Sequence, residues 1–228
     1  MRELQLEYII DKELRKMSIE YIEILEAYTK GINQYATNKT LSLEFWLLGI
    51  TFKEWTIKDS LMIFKGFSFQ LAGNWRQVIL REQLKDKLGN TLSELLLPNN
   101  SYYDTIEGLK PLLGNSWVIH GNYTKSRKPI LSSDLSGVKE IPGEFYFAGI
   151  KFMEKEIVGA SVPGVPIMLI GSNKNLSWGI TGNEINSVYV AEVDNLPVTT
   201  KGAIINVKHE KNVAHLLCRT DKGPIISR

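Results

Sequence analysis

Apolar residues fall at helical spacing over residues 3–37. Ile19, Ile22, Leu25, Tyr28, Ile32 and Tyr35 recur every three or four positions, with glutamates and lysines mainly between them. The spacing predicts a helix here, which Gly31 interrupts without ending. A second helix is predicted over "TIKDSLMIFKGFSFQL" (56–71), with Thr56 as N-cap. Asp59, three residues on, can meet the free N–H groups and the positive end of the helix dipole. This segment is apolar on most faces, which places it inside the fold. "WRQVILREQLKDKLG" (75–89) reads as an amphipathic helix stopped by Gly89. "TLSELLLP" (91–98) reads as a short further turn ended by Pro98, and "NNSYYD" (99–104) as a surface loop.

From residue 115 the period changes. Short β-type runs follow one another: "NSWVIHG", "KPILSSD", "EFYFAGIKF", "EIVGASV", "PIMLIGS", "LSWGITG", "VYVAEVD", "AIINVKH" and "AHLLCRT". Gly, Pro, Asn and Asp separate them, as in a sheet-rich region. "EFYFAGIKF" is apolar at both alternations, which predicts a strand covered on each side. The pattern is therefore α+β, with a helical N-terminal half and an antiparallel, sheet-rich C-terminal half.

Composition adds exclusions rather than a function. Of 228 residues, 43% are hydrophobic and 23% charged, and the net charge is +2. No basic stripe interleaved with aromatics points to nucleic acid, and the densest basic cluster, "KSRK" (125–128), reads as a solvated hairpin tip. Cys218 is the only cysteine and sits in an apolar run, where it packs as a small hydrophobe. No run approaches the ~20 apolar residues of a membrane span. "MRELQLEYII" is too charged for a secretory signal. The sequons at Asn38, Asn99, Asn122 and Asn175 matter only in a secreted protein. P-loop, GxGxxG, HExxH, CxxC and GxSxG patterns are absent. His120, His209 and His215 lack ligand-like spacing, although His209 and His215, on successive strand-like runs, could face each other.

A resemblance supplies what spacing does not. "LEAYTKGINQYA" (25–36), "LEFWLLGITFKEWTIKDSL" (43–61), "FQLAGNW" (69–75), "GNSWVIHGNYTKSRKPILSSD" (114–134), "IVGASVPGVPIMLIGSNKNLSWGIT" (157–181), "VYVAEVD" (188–194) and "DKGPIISR" (221–228) resemble, in order, the penicillin acylase family of N-terminal nucleophile hydrolases. The resemblance implies a four-layer αββα core, incomplete in this chain. It also implies a division at 1–113, like the family's α-chain and spacer, and 114–228, like the start of its β-chain, as parts of one interlocked domain. Family precursors cut themselves to expose a serine whose hydroxyl attacks an amide carbonyl while its own α-amine takes the proton. The implied substrates are small, linear N-acyl amides, with no nucleic acid and no membrane span involved. The family is usually exported or vacuole-like in location, and the compartment of this chain is left open.

Against that family, one residue is missing. The family motif at the cut reads Gly-Ser-Asn-x-Trp, whereas this chain reads Gly114-Asn115-Ser116-Trp117. Counted back from Trp117, the nucleophile position holds Gly114. Matched glycine to glycine, the serine is deleted. Ser116 is the one nearby substitute, displaced by roughly 6–7 Å along a strand. Where the family carries a His or Gln beside the nucleophile, this chain has Ser136. The backbone N–H of Gly182 matches one oxyanion-hole donor. Many members hold a structural Ca²⁺; here Glu184 and Ser187 stand for the two Asp ligands and Glu82 for an α-chain ligand, a degraded set with one carboxylate lost. No other cofactor is implied. Phe67, Phe69, Trp75 and Val165 match positions near the acyl pocket, although such residues also suit any core.

The resemblance further implies that the rest of the β-chain, its partner in the sheets, is missing, leaving open edges and marginal stability alone. Three readings stay open: an amide hydrolase whose true sequence carries the serine, an inactive relative that binds a ligand or partner, and a non-functional gene fragment.

Overall fold

In the computed structural model, residues 2–71, 75–97, 114–134, 143–181, 190, 196–208 and 210–226 are described. All α-helices of these residues precede residue 97 and all strands follow residue 115, with one 3-10 turn at Gly121–Tyr123 between the first two strands, so the fold is α+β. Five helices, α1 (Leu6–Leu14), α2 (Ile19–Asn38), α3 (Leu43–Leu48), α4 (Ile57–Leu71) and α5 (Trp75–Leu96), are followed by eight strands. These are β1 (Ser116–Ile119), β2 (Ile130–Ser133), β3 (Tyr146–Phe152), β4 (Lys155–Ser161), β5 (Met168–Asn173), β6 (Ser177–Trp178), β7 (Thr199–Ile205) and β8 (Val213–Arg219). No described helix is long and apolar enough to cross a membrane. The chain forms two compact units, residues 1–66 with 191–228, and residues 67–190.

In the first unit, the single helix predicted over 3–37 is two helices. The chain breaks after Leu14, and Ser18, extended at ψ 151°, opens α2. The expected stripe is only partly buried. Leu25 is enclosed, but Ile19 and Tyr35 face water, and buried Thr29 takes a place the apolar spacing did not assign. Polar pairing explains the rotation. Asn33 donates to the Trp55 carbonyl at 2.9 Å and accepts from the Trp55 N–H at 2.7 Å, so α2 turns this face toward the chain entering α4. The Thr56 N–H and hydroxyl both reach the Asp59 carboxylate, at 2.8 and 2.6 Å, which is the N-terminal acid contact expected there. From Ile57 to Phe69 only Lys58 is exposed, as an enclosed helix predicts.

Lys58 pairs with Asp11 at 2.5 Å and Lys65 with Glu13 at 2.7 Å, joining α4 to α1. The hydrogen bond from Lys58 lowers the Asp11 carboxyl below its ordinary range, and Asp11 raises Lys58 in turn. The β7–β8 hairpin closes on α1. Gln5 donates to the Cys218 carbonyl at 2.8 Å, and the Arg219 guanidinium lies 4.2 Å from the Tyr8 ring centre. Cys218 is buried, as a small hydrophobe. His215 stands opposite Ala203 in the hairpin register, with Nε2 4.0 Å from Glu3; His209, its suggested counterpart, lies outside the described residues. The short helix α3, closed by Gly49 at φ 57°, had no separate signal in the apolar spacing.

The second unit holds α5, the β1–β2 pair and an antiparallel sheet of order β3-β4-β5-β6. Gly89 leaves helical geometry at φ 76°, ψ 170°, at the predicted stop. Gly159 of β4 lies opposite Gly171 of β5, just before a register shift at Ala160/Ser161. Trp178 of β6 packs over Gly171 and donates its indole N–H to the Met168 carbonyl at 3.0 Å. The prediction that β3 is covered on each side is not met. Phe147 is 82% exposed on one face, and Ile150 (55%) and Phe152 (66%) are exposed on the other. β3 is the edge strand of its sheet, and the described residues cover neither side of it.

The β3–β4 turn places Met153 at φ 50°, a left-handed conformation that costs a side-chain-bearing residue about 1 kcal/mol. Met153 is exposed, so its side chain contributes little packing in return. Met153→Gly is expected to stabilise the protein by roughly 0.5–1 kcal/mol, read as a higher denaturant midpoint at unchanged slope.

Candidate functional site around Gly114

The second unit brings three chain segments together at the start of β1. β1 and β2 pair antiparallel with Ser116 opposite Ser133 and Ile119 opposite Ile130. Beyond the last pair, the Gly114 N–H donates to the Asp134 carbonyl at 3.3 Å and the Asp134 N–H to the Asn115 carbonyl at 3.0 Å. The loop between the strands spans residues 120–129 and opens with the 3-10 turn at Gly121–Tyr123. Thr124 Oγ1 donates across it to the Lys128 carbonyl at 2.7 Å, and Lys125, Ser126, Arg127 and Lys128 are all exposed, as the solvated-tip reading expects.

The third segment, residues 179–181, follows β6. Thr181 Oγ1 donates to the Gly114 carbonyl at 3.0 Å, and Ser133 Oγ lies 3.5 Å from the Ile180 carbonyl. Gly179 makes this approach sterically possible. A Cβ there would lie 2.5 Å from Ser133 Oγ and 3.1 Å from Ser116 Oγ. The hydroxyl of Ser116 is half-buried and directed at the Ser132 carbonyl, 3.4 Å away. A hydroxyl facing a main-chain oxygen is placed as a donor to a group that does not take up its proton, so this contact does not activate it as a nucleophile.

Other predicted site residues have separate surroundings. Phe67 is buried and meets Phe145 edge-on, with ring centres 6.0 Å apart at 87°. Phe69 is half-buried, and the side chain of Trp75 lies outside the described residues. Val165 is buried in the turn Val162-Pro163-Gly164-Val165, where its N–H reaches the Val162 carbonyl at 3.2 Å and Gly164 adopts φ 94°. Proline followed by a positive-φ glycine is the chemistry of a type II turn. Buried Ser161 secures it, its hydroxyl lying 2.7 Å from the Ile167 carbonyl and 3.0 Å from that of Val165. The sequence reading had not singled out Ser161; a serine at the end of a strand, before Val-Pro-Gly, was the available signal.

Glu82 lies on α5 and pairs with Lys85 at 2.8 Å, one turn away, with the carboxylate more than half exposed. Among the described residues, no three acidic, His or Cys side chains converge. Ser136, Gly182, Glu184 and Ser187 lie outside the described residues.

The sequence profile of the family described as penicillin amidase matches residues 1–228. The chain belongs to the penicillin amidase family. Among relatives, the acyl-homoserine lactone acylase QuiP of Pseudomonas aeruginosa is 22% identical over 278 aligned positions, covering 100% of this chain and 33% of that protein. QuiP of Pseudomonas fluorescens is 25% identical over 74% of this chain and 25% of that protein. Penicillin acylase 2 proenzyme of a Pseudomonas species is 23% identical over 73% of this chain and 26% of that protein. The chain spans about a third of the length of the first of these amidase-family relatives. The longest alignment has more positions than the chain has residues, so that relative carries segments absent here.

Proposed function

We propose that this chain is part of an amidase-family hydrolase of linear N-acyl amides, with Gly114 standing at the nucleophile position. The observation that carries this reading is the sequence Gly114-Asn115-Ser116-Trp117 at the head of β1, within a match to the family that spans the chain. Relatives named acyl-homoserine lactone acylase and penicillin acylase support N-acyl amides as the substrate class.

The proposed chemistry needs a hydroxyl or thiol on the residue whose α-amine is freed by self-cleavage. The hydroxyl attacks the amide carbonyl, the α-amine takes its proton, and the leaving amine receives it. Gly114 carries no nucleophile, and in an uncut chain its nitrogen is a peptide N–H and not a free amine, so neither self-cleavage nor acyl transfer proceeds there. Thr181, one residue before Gly182, is anchored on the Gly114 carbonyl, which supports an oxyanion donor beside this position. The exposed apolar faces of β3 support further chain, or a partner of the same kind, covering this sheet in the working protein.

Sequencing the transcript across codons 110–120, followed by assay of the encoded product on an acyl-homoserine lactone and a penicillin, tests the reading. A transcript encoding Gly-Asn-Ser-Trp is expected, with an uncut, inactive product. A transcript with serine directly before Asn115 would instead assign a self-processing hydrolase. Hydrolysis by the Gly-Asn-Ser-Trp product would overturn the mechanism.

A further inference from the structure

β3 is an unprotected sheet edge. It pairs with β4 without a break, from Tyr146 opposite Ser161 to Phe152 opposite Lys155, and among the described residues no strand pairs with its other side. Open edges are usually blunted by shortness, charge, proline or a bulge. β6, at the far edge of the same sheet, is two residues long. β7 opens on Thr199, Thr200 and Lys201, and β8 is bridged at Arg219 to Pro224 and holds Gln5 through the Cys218 carbonyl. β3 has one charge, Lys151, with no proline and no bulge, and its Phe147, Ile150 and Phe152 are exposed.

The order of residues along β3 shows what fits this edge. A second copy laid antiparallel, with the two-fold axis at the strand's midpoint, Gly149, pairs the strand along its whole length. Glycine then meets glycine, so no side chains collide on the axis. On one face Tyr146 lies opposite the partner's Phe152, and Ala148 opposite the partner's Ile150. On the other face Phe147 lies opposite the partner's Lys151. Aromatic–aromatic and aromatic–cation neighbours are both favourable across a sheet, and symmetry makes each pair occur twice. The two Lys151 ammonium groups fall about 13 Å apart along the strands, beyond a Debye length of about 8 Å.

We propose that β3 is a self-association edge, and that two copies of this chain join β3 to β3 about Gly149 into one continuous sheet. A single strand pair is a small interface, so the dimer is weak, with a dissociation constant of roughly 10–100 µM. This goes beyond the hydrolase reading and uses none of its residues.

Light scattering on the full-length gene product is expected to show the mass rising from one chain to two across that range, and no further. Phe147→Lys sets an ammonium group opposite the partner's Lys151 and is expected to weaken the dimer at least about tenfold, whereas Phe147→Glu, facing the same lysine with opposite charge, is expected to weaken it less than about threefold. Phe147 is exposed in the single chain, so both variants are expected to keep the parent's denaturant midpoint. Gly149→Cys is expected to cross-link to itself under mild oxidation, since an added Cβ meets only Val158, at 3.4 Å, and the two positions face each other. Tyr146→Cys, which faces the partner's Phe152, is expected not to, and the parent with its buried Cys218 is the blank.

A monomer at every concentration would overturn the proposal and leave β3 to further chain. Species larger than two would assign the contact to the open sheet faces. Equal effects of Phe147→Lys and Phe147→Glu, or equal cross-linking from positions 146 and 149, would place the dimer on another surface or register. Each of these results overturns the proposal. None of the readouts uses hydrolysis, so loss of the dimer leaves the hydrolase reading standing, and an inactive product leaves the dimer standing.

Discussion

The gene product carrying Gly114-Asn115-Ser116-Trp117 is expected to hydrolyse N-acyl amides roughly 10⁶-fold more slowly than a serine-bearing member of its family, because removing a nucleophile alone costs about that much in turnover. The scaffold cannot compensate. An oxyanion donor stabilises charge that develops only after attack, and here nothing at position 114 attacks. Ser116 is the fallback to exclude. Its hydroxyl lies two residues along β1, about 6–7 Å from the nucleophile position, and is directed at the Ser132 carbonyl. A displacement of about 1 Å already costs on the order of 10²-fold. Any residual rate is therefore expected to survive Ser116→Ala. Loss of that residual rate in the variant would make Ser116 the nucleophile and refute this account of the site.

The second large effect is structural. Gly159→Ala is expected to destabilise the protein by roughly 3 kcal/mol or more, at or beyond the upper range for overpacking. A Cβ at Gly159 would lie 2.2 Å from the Ile170 carbonyl oxygen and 2.9 Å from the Gly171 Cα, both main-chain atoms that no rotamer change can move. β4 and β5 would have to separate where their glycines face each other. Gly202→Ala is the control. It also sits in a strand, β7, with nothing within 4 Å of the added carbon, and its cost is expected to stay within about 0.5 kcal/mol. Denaturant unfolding of both variants decides the matter, and equal midpoints would contradict the close approach of β4 and β5.

The strands were legible because turn residues bound them. β4 and β5 are parted by a segment that opens with the Val-Pro-Gly-Val turn, whereas the β3–β4 turn, Met153-Glu154, is an exception that holds no Gly, Pro, Asn or Asp. The start of α4 was legible for a similar local reason, since Thr56 and Asp59 interact across three residues. What local pattern could not show were choices made by distant partners. The break before Ser18 sits inside an unbroken helical spacing. The face of α2 is set by Asn33 meeting Trp55, twenty-two residues away. Cover over β3 was inferred from its apolar alternation, but alternation records what a strand can bury, and the described residues do not bury it.

The candidate site divides the same way. The motif at Gly114 could be read directly, and its missing serine followed from counting back from Trp117. The contact of Thr181 with Gly114 joins residues sixty-seven apart and leaves no trace in composition or spacing.

The central claim is that this amidase-family chain carries glycine at the nucleophile position and so neither cuts itself nor transfers an acyl group. Intact mass spectrometry of the protein purified from its native source tests this most directly. The account predicts one continuous chain through residues 113–116 with the mass of Gly-Asn-Ser-Trp. A chain beginning at residue 114 or at Ser116, or a mass requiring serine before Asn115, would contradict it.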